Sequence, residues 1–222
     1  MTHVQRRGAM TVLALFLSWV LAPGPAVAGA PAPVDESRLV PSLSAGFVPW
    51  TCRTKPEGPV CKGERHISWD WGPFDLACGD TQLWARGESD RFQTRYYNED
   101  YLDVFREFRT NDIDYLSTSP TGPATATIST NVRFEDSFAV PGDDGTLTIT
   151  TQGLLWDIRP AQGSAVWRAV GTLVEPPDGV GRFSGHVTSG ARTTRFEDAP
   201  LPEVLSDDTF VAAVCTAATV VK

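Results

Sequence analysis

Over most of this chain apolar and polar residues alternate in short runs broken by turn residues, the period-two signature of half-buried β-strands. The cleanest run is Thr146-Leu147-Thr148-Ile149-Thr150. Leu76–Ala85, Phe92–Tyr97, Ala124–Thr130, Val132–Val140, Thr146–Gly153, Leu154–Ile158, Ala165–Val174 and Gly181–Ser189 each read as a strand. Between them, Asn98-Glu99-Asp100, Pro141-Gly142-Asp143-Asp144-Gly145, Pro160-Ala161-Gln162-Gly163 and Pro176-Pro177-Asp178-Gly179 supply residues with a preset φ or tolerance of positive φ. Tyr101–Arg109 places Tyr101, Val104, Phe105 and Phe108 at helical spacing, but its aromatics and the turn before it favour a strand. Near the end, Ser206-Asp207-Asp208 resembles a helix cap, and Phe210, Val211, Val214 and Ala217 then share one face; a short helix and a closing strand both fit. The pattern predicts an all-β fold, a single antiparallel barrel of about eight strands, with an irregular N-terminal arm and a short C-terminal helix as one option for its end.

Two stretches break the pattern. Met10–Leu21 is an apolar run behind Arg6-Arg7, followed by Pro23-Gly24-Pro25 and the small-residue exit Ala26-Val27-Ala28. About a dozen residues are too few to span hydrocarbon, so residues 1–28 read as a cleaved export signal, with no membrane anchor after cleavage. Residues 29–49, rich in Ala, Pro and Ser, read as a flexible linker whose order begins near Phe47. Residues 50–75 read as a disulfide-closed arm and 76–222 as the barrel domain. The expected location is secreted and extracellular.

Export makes the four cysteines candidates for disulfides. Cys52 and Cys61 enclose Arg-Thr-Lys-Pro-Glu-Gly-Pro-Val, a turn-rich insert suited to a small closed loop, which leaves Cys78 and Cys215 to tie the domain to its C-terminal segment. Three pairings are formally open for four cysteines. Neither the Cys52–Cys61 spacing nor His66 supplies a zinc-ligand cluster, so no metal is expected, and no cofactor motif is present.

The Cys78-Gly79 pair opening the domain, the runs Thr146–Thr150 and Gly153–Ile158, and Cys215 near the end lie behind an export signal. This layout resembles a group of uncharacterised secreted actinobacterial proteins, over residues 74–220. The resemblance implies a calycin-like or allene-oxide-cyclase-like barrel and carries over no catalytic residue.

Charge narrows the function. Cleavage removes Arg6 and Arg7 and no acid, so the 19 basic residues become 17 against 27 acidic, a formal charge of −10. That balance argues against nucleic acid and anionic membranes as partners. After cleavage the histidines are His66 and His186; Gly181-Arg182-Phe183-Ser184-Gly185 lacks the Gly-x-Ser-x-Gly spacing, so no nucleophilic set is evident. Asp112 and Asp114 share a face if extended, with Glu107 nearby, which is the minimum for a carboxylate hydrolase; solvated strand residues explain them equally. Asp143-Asp144 and Asp207-Asp208 read as turn and cap residues.

Aromatic residues make the stronger case for a ligand. Trp50, Trp69 and Trp71 lie in the arm, and extended Trp69-Asp70-Trp71 puts both rings on one face, a surface for a carbohydrate or a partner's pocket. The same rings also serve to dock the arm on the domain, which is the reading we favour. Trp84, Trp156, Trp167, Phe134, Phe138 and Phe183 are expected to line the barrel interior; a hollow interior would take a small apolar ligand. The residues thus favour a non-enzymatic binding or interaction module, with a barrel cyclase or isomerase, a carboxylate hydrolase, or a structural envelope component as alternatives.

Overall fold

Thr81–Tyr97 shows how the sequence builds a two-faced sheet: Leu83, Ala85, Ser89, Arg95 and Tyr97 are buried on one side, while the even-numbered residues face outward. A computed structural model of the chain describes residues 33–177, 179–201 and 205–219. They belong to the unit Pro31–Lys222, one of two into which the chain divides; the expected export signal falls outside the described residues.

Among the described residues the strands are β1 (Thr51–Lys55), β2 (Gly58–Cys78), β3 (Thr81–Tyr97), β4 (Asp103–Ser117), β5 (Ala126–Phe138), β6 (Leu147–Pro160), β7 (Trp167–Glu175), β8 (Arg182–Ser189) and β9 (Arg192–Pro200). They form one antiparallel sheet in sequence order, each strand beside its neighbours in the chain. One helix follows, α1 (Asp207–Thr219). Among the described residues no helix is long and apolar enough to cross a membrane.

The expected barrel is not formed. β1 pairs with β2 and β9 with β8, and the two ends do not meet. Closure demands matched strand length, tilt and stagger, whereas β2 has 21 residues, β1 five and β9 nine. The expected irregular arm is likewise replaced, since Thr51–Lys55 and Gly58–Cys78 are regular strands of the sheet. Ala124–Thr130 and Val132–Val140 merge into β5, and Thr146–Gly153 and Leu154–Ile158 into β6, so nine strands stand where about eight were expected.

α1 takes the place of sheet closure in covering the apolar face. Ser206 caps it, accepting a hydrogen bond at Oγ from the Thr209 amide at 3.4 Å. Val214, Ala217 and Ala218 are buried against Leu83, Leu116, Ala126, Ile128, Ile158 and Trp167, and Phe210 packs edge-on to Trp156 and Trp167 at 6.1 Å. Each fully buried large side chain here contributes roughly 1.5–3 kcal/mol. The Cys78–Cys215 disulfide pins the helix to the end of β2, and Cys52–Cys61 staples β1 to β2, the pairing preferred from the spacing.

The other end of the inner face is covered by the segment before β1. Within the stretch read as linker, Leu39 and Phe47 are buried, and Leu39 joins Cys61 and Tyr97 in a second apolar cluster. Gly63 makes room for this cover: a Cβ there would stand 2.9 Å from Phe47 and Trp50. Arg95 donates to the Ser42 carbonyl at 3.0 Å, fastening the segment to β3.

Candidate functional site

The tryptophans singled out from the sequence do not form one surface. Trp50 docks the N-terminal segment: its Nε1 donates to the Ser44 carbonyl at 2.8 Å and its ring lies 5.7 Å from that of Phe47. Trp69 lies opposite Gly87 on the inner face, its ring laid over that glycine. A bulge between Trp69 and Gly72 breaks the two-residue period, so Trp71 emerges on the outer face, where the Arg86 guanidinium sits over both Trp71 (5.4 Å) and Tyr115 (5.1 Å). The expectation of both rings on one face is therefore corrected by one irregularity in β2.

The aromatics expected inside a barrel are also divided. Trp167 and Phe183 are fully buried against α1 and neighbouring strands, filling the inner face, while Trp84 is an even-numbered, outward residue of β3.

The carboxylates are separated by the sheet itself. Glu107 faces outward, where it accepts from Arg133 at 2.7 Å and from the Tyr96 hydroxyl at 3.3 Å. Asp112 and Asp114 face inward, since they lie opposite the inner residues Ser89 and Gly87. Asp112 accepts hydrogen bonds from the Ser89 and Thr110 hydroxyls, and Arg91 stands 3.5 Å away. Burial, and then the Asp112 charge, push the Asp114 carboxyl up to about 6. Glu107 therefore cannot act with Asp112 or Asp114 on one substrate. His66 pairs with Asp90 at 2.6 Å on the outer face, and His186 is exposed on β8.

What the structure assembles instead is an open trough of about 840 Å³ across the outer face of β1 to β5. Long, right-twisted strands form a saddle, and one diagonal of a saddle is concave from outside. Cross-strand register lays three rows of side chains along it. Thr51, Lys62, Thr94 and Glu107 form the first, Glu64, Phe92 and Arg109 the second, and Asp90, Asn111 and Asn131 the third. Strand geometry spaces neighbouring rows about 7 Å apart and neighbouring strands about 4.8 Å apart.

Two properties distinguish the trough. Phe92 is 51% exposed in the middle row, an aromatic ring on an otherwise polar surface. Around it Lys62, Glu64, Arg109, Asn111 and Asn131 make no side-chain hydrogen bond or ion pair among the described residues, although Glu107 beside them is held by Arg133. These groups are set on strands, so the sheet fixes the positions from which they emerge and the face they share.

Reading Phe92–Tyr97 as a strand assigns no face to Phe92, so the run by itself does not point to this site. A signal was present: Phe92 is out of phase with Leu83, Ala85 and Tyr97, so a continuous strand must turn its ring outward. No known protein family, curated protein or solved structure matches the chain.

Proposed function

We propose that this protein is a non-enzymatic binding module that acts outside the cell and uses the outer-face trough as its binding surface. One observation carries the reading: an exposed Phe92 ring at the centre of a concavity in which Lys62, Glu64, Arg109, Asn111 and Asn131 make no side-chain hydrogen bond or ion pair among the described residues. A volume of about 840 Å³ lies within the usual range of ligand sites. The three carboxylates read as hydrolase candidates do not converge on the trough, because Glu107 is paired with Arg133 there and Asp112 and Asp114 lie behind the sheet. Two disulfides and the apolar run Met10–Leu21 support action in an oxidising compartment.

The test is an amide-resolved NMR titration of the protein recovered from its host's culture medium, with fractions of that medium and of the cell wall. Shifts confined to 62–64, 90–94, 107–111 and 131, and absent in Phe92→Ala, are expected. Trough signals that no fraction moves, or a fraction component consumed by the protein, would overturn the reading. The intact mass should correspond to cleavage after Ala28 with no free thiol; an uncleaved chain would overturn the extracellular assignment.

A further inference from the structure

The chemistry of the trough points to its ligand, and we infer that it takes a neutral carbohydrate chain laid across the strands, one sugar ring seated on Phe92. This inference rests on the binding reading above and narrows it to one ligand class.

A sugar ring presents an apolar C–H face and a rim of hydroxyls, each both donor and acceptor. Phe92 supplies the complement of the first, since an aromatic face is electron-rich and attracts C–H groups while excluding water. The neighbours supply the complement of the second. Asn111 and Asn131 each offer a carbonyl and an NH2 side by side, Arg109 a planar fork of donors, and Glu64 two acceptor oxygens. Mixed donors and acceptors in planar pairs suit adjacent hydroxyls and suit few other groups.

Competing ligands fit less well. An apolar molecule would cover Lys62, Glu64, Arg109, Asn111 and Asn131 without satisfying them, at roughly 1–3 kcal/mol for each group left unpaired. A polyanion would meet Glu64, Asp90 and Glu107 as well as Lys62 and Arg109, so the lining offers it no net attraction. An extended peptide gains its main-chain hydrogen bonds at a sheet edge, whereas here the strands under the trough are already paired to one another. The trough crosses from β1 to β5, four strand spacings or about 19 Å, so an oligosaccharide fits it better than a single sugar.

The experiment is calorimetry and affinity electrophoresis with soluble β-glucan, xylan, galactomannan and chitooligosaccharides, beside alginate as an acidic polymer and phospholipid vesicles. The variants are Phe92→Ala, Asn111→Ala/Asn131→Ala and, on the opposite face, Trp69→Ala. A neutral glycan is expected to bind the wild type, about tenfold more weakly with Phe92→Ala and undiminished with Trp69→Ala. Should Phe92→Ala fail to keep the wild-type amide spectrum, the double asparagine variant gives the same reading. If alginate or vesicles move the trough signals and no neutral glycan does, the carbohydrate inference falls and the binding reading stands. If no probe moves them, both fall. Glycan binding that survives both trough variants would place the sugar elsewhere and overturn the inference.

Discussion

Asp112 and Asp114 leave β4 on the same inner face, and of the two only Asp112 has hydrogen-bond donors among the described residues. Ser89 and Thr110 satisfy Asp112, while Asp114 stands opposite Gly87, partly buried and next to another negative charge. The same residue type is thus supplied with donors at one position and left without them two positions on.

Replacing Asp114 should therefore stabilise the fold at neutral pH. Its carboxyl is raised from 3.8 to about 6 in the native state, so the native protein binds more protons than the unfolded chain across that interval. Stability conferred by the protonated form is present below pH 4 and declines as pH rises towards 6. Because part of the group meets solvent, the gain expected from Asp114→Asn at pH 7 is about 1 kcal/mol, with a flatter profile between pH 4 and 6. Urea midpoints at pH 4 and pH 7 check it; an equal loss at both pH values would show a structural role for the carboxylate.

Asp157 should behave in the opposite way. Burial alone would raise its carboxyl, yet hydrogen bonds from Arg159 at 2.6 Å and from Arg168 at 2.7 Å outweigh that and hold it below the usual range. Its contribution is present above pH 4 and is lost as pH falls through the depressed native pKa. Asp157→Asn leaves two arginines without their carboxylate, and since both are over 40% exposed the expected loss at pH 7 is about 2 kcal/mol. A loss that shrinks as pH falls below 4 in chemical denaturation distinguishes this from simple misfit of the amide.

The two disulfides should differ in weight. They span 9 and 137 residues, and loop-closure entropy assigns them about 3 and about 5 kcal/mol respectively. Cys78→Ala/Cys215→Ala should cost more than Cys52→Ala/Cys61→Ala, and it should speed amide exchange in α1 first. Equal thermal shifts for the two pairs would contradict the ranking.

Gly171 faces Gly185 across β7 and β8, where the two backbones pack closely under the Phe183 ring. A Cβ at Gly171 would stand 2.7 Å from the Gly185 Cα and run into the Ser184 carbonyl. Gly171→Ala is expected to cost at least about 2 kcal/mol in urea unfolding. Gly72→Ala, where a Cβ meets nothing closer than 4.0 Å, should stay within about 0.5 kcal/mol.

Local chemistry was legible wherever its effect stays local. Leu147–Thr150 of the cleanest alternating run lies in β6; Ser206-Asp207-Asp208 caps and begins α1, one of the two options open for that end; the short spacing of Cys52 and Cys61 anticipates their bond. These features depend on a few adjacent residues and on backbone preferences that any chain obeys. The mainly β character of the chain follows from the same alternation.

Closure, facing and grouping depend on distant partners. Whether the sheet becomes a barrel turned on the unequal lengths of β2 and β9 and on α1 covering the apolar face, neither of which a strand pattern records. Which way Trp69 and Trp71 point turned on one bulge, because a single extra residue reverses every side chain beyond it. Phe92 shows both levels together. Its phase within β3 already turned its ring outward, but the trough around it exists only because register sets Glu64, Arg109, Asn111 and Asn131 beside it from three other strands. Alternation is a property of one strand, whereas a site is made by the register between strands, and register is set by tertiary packing.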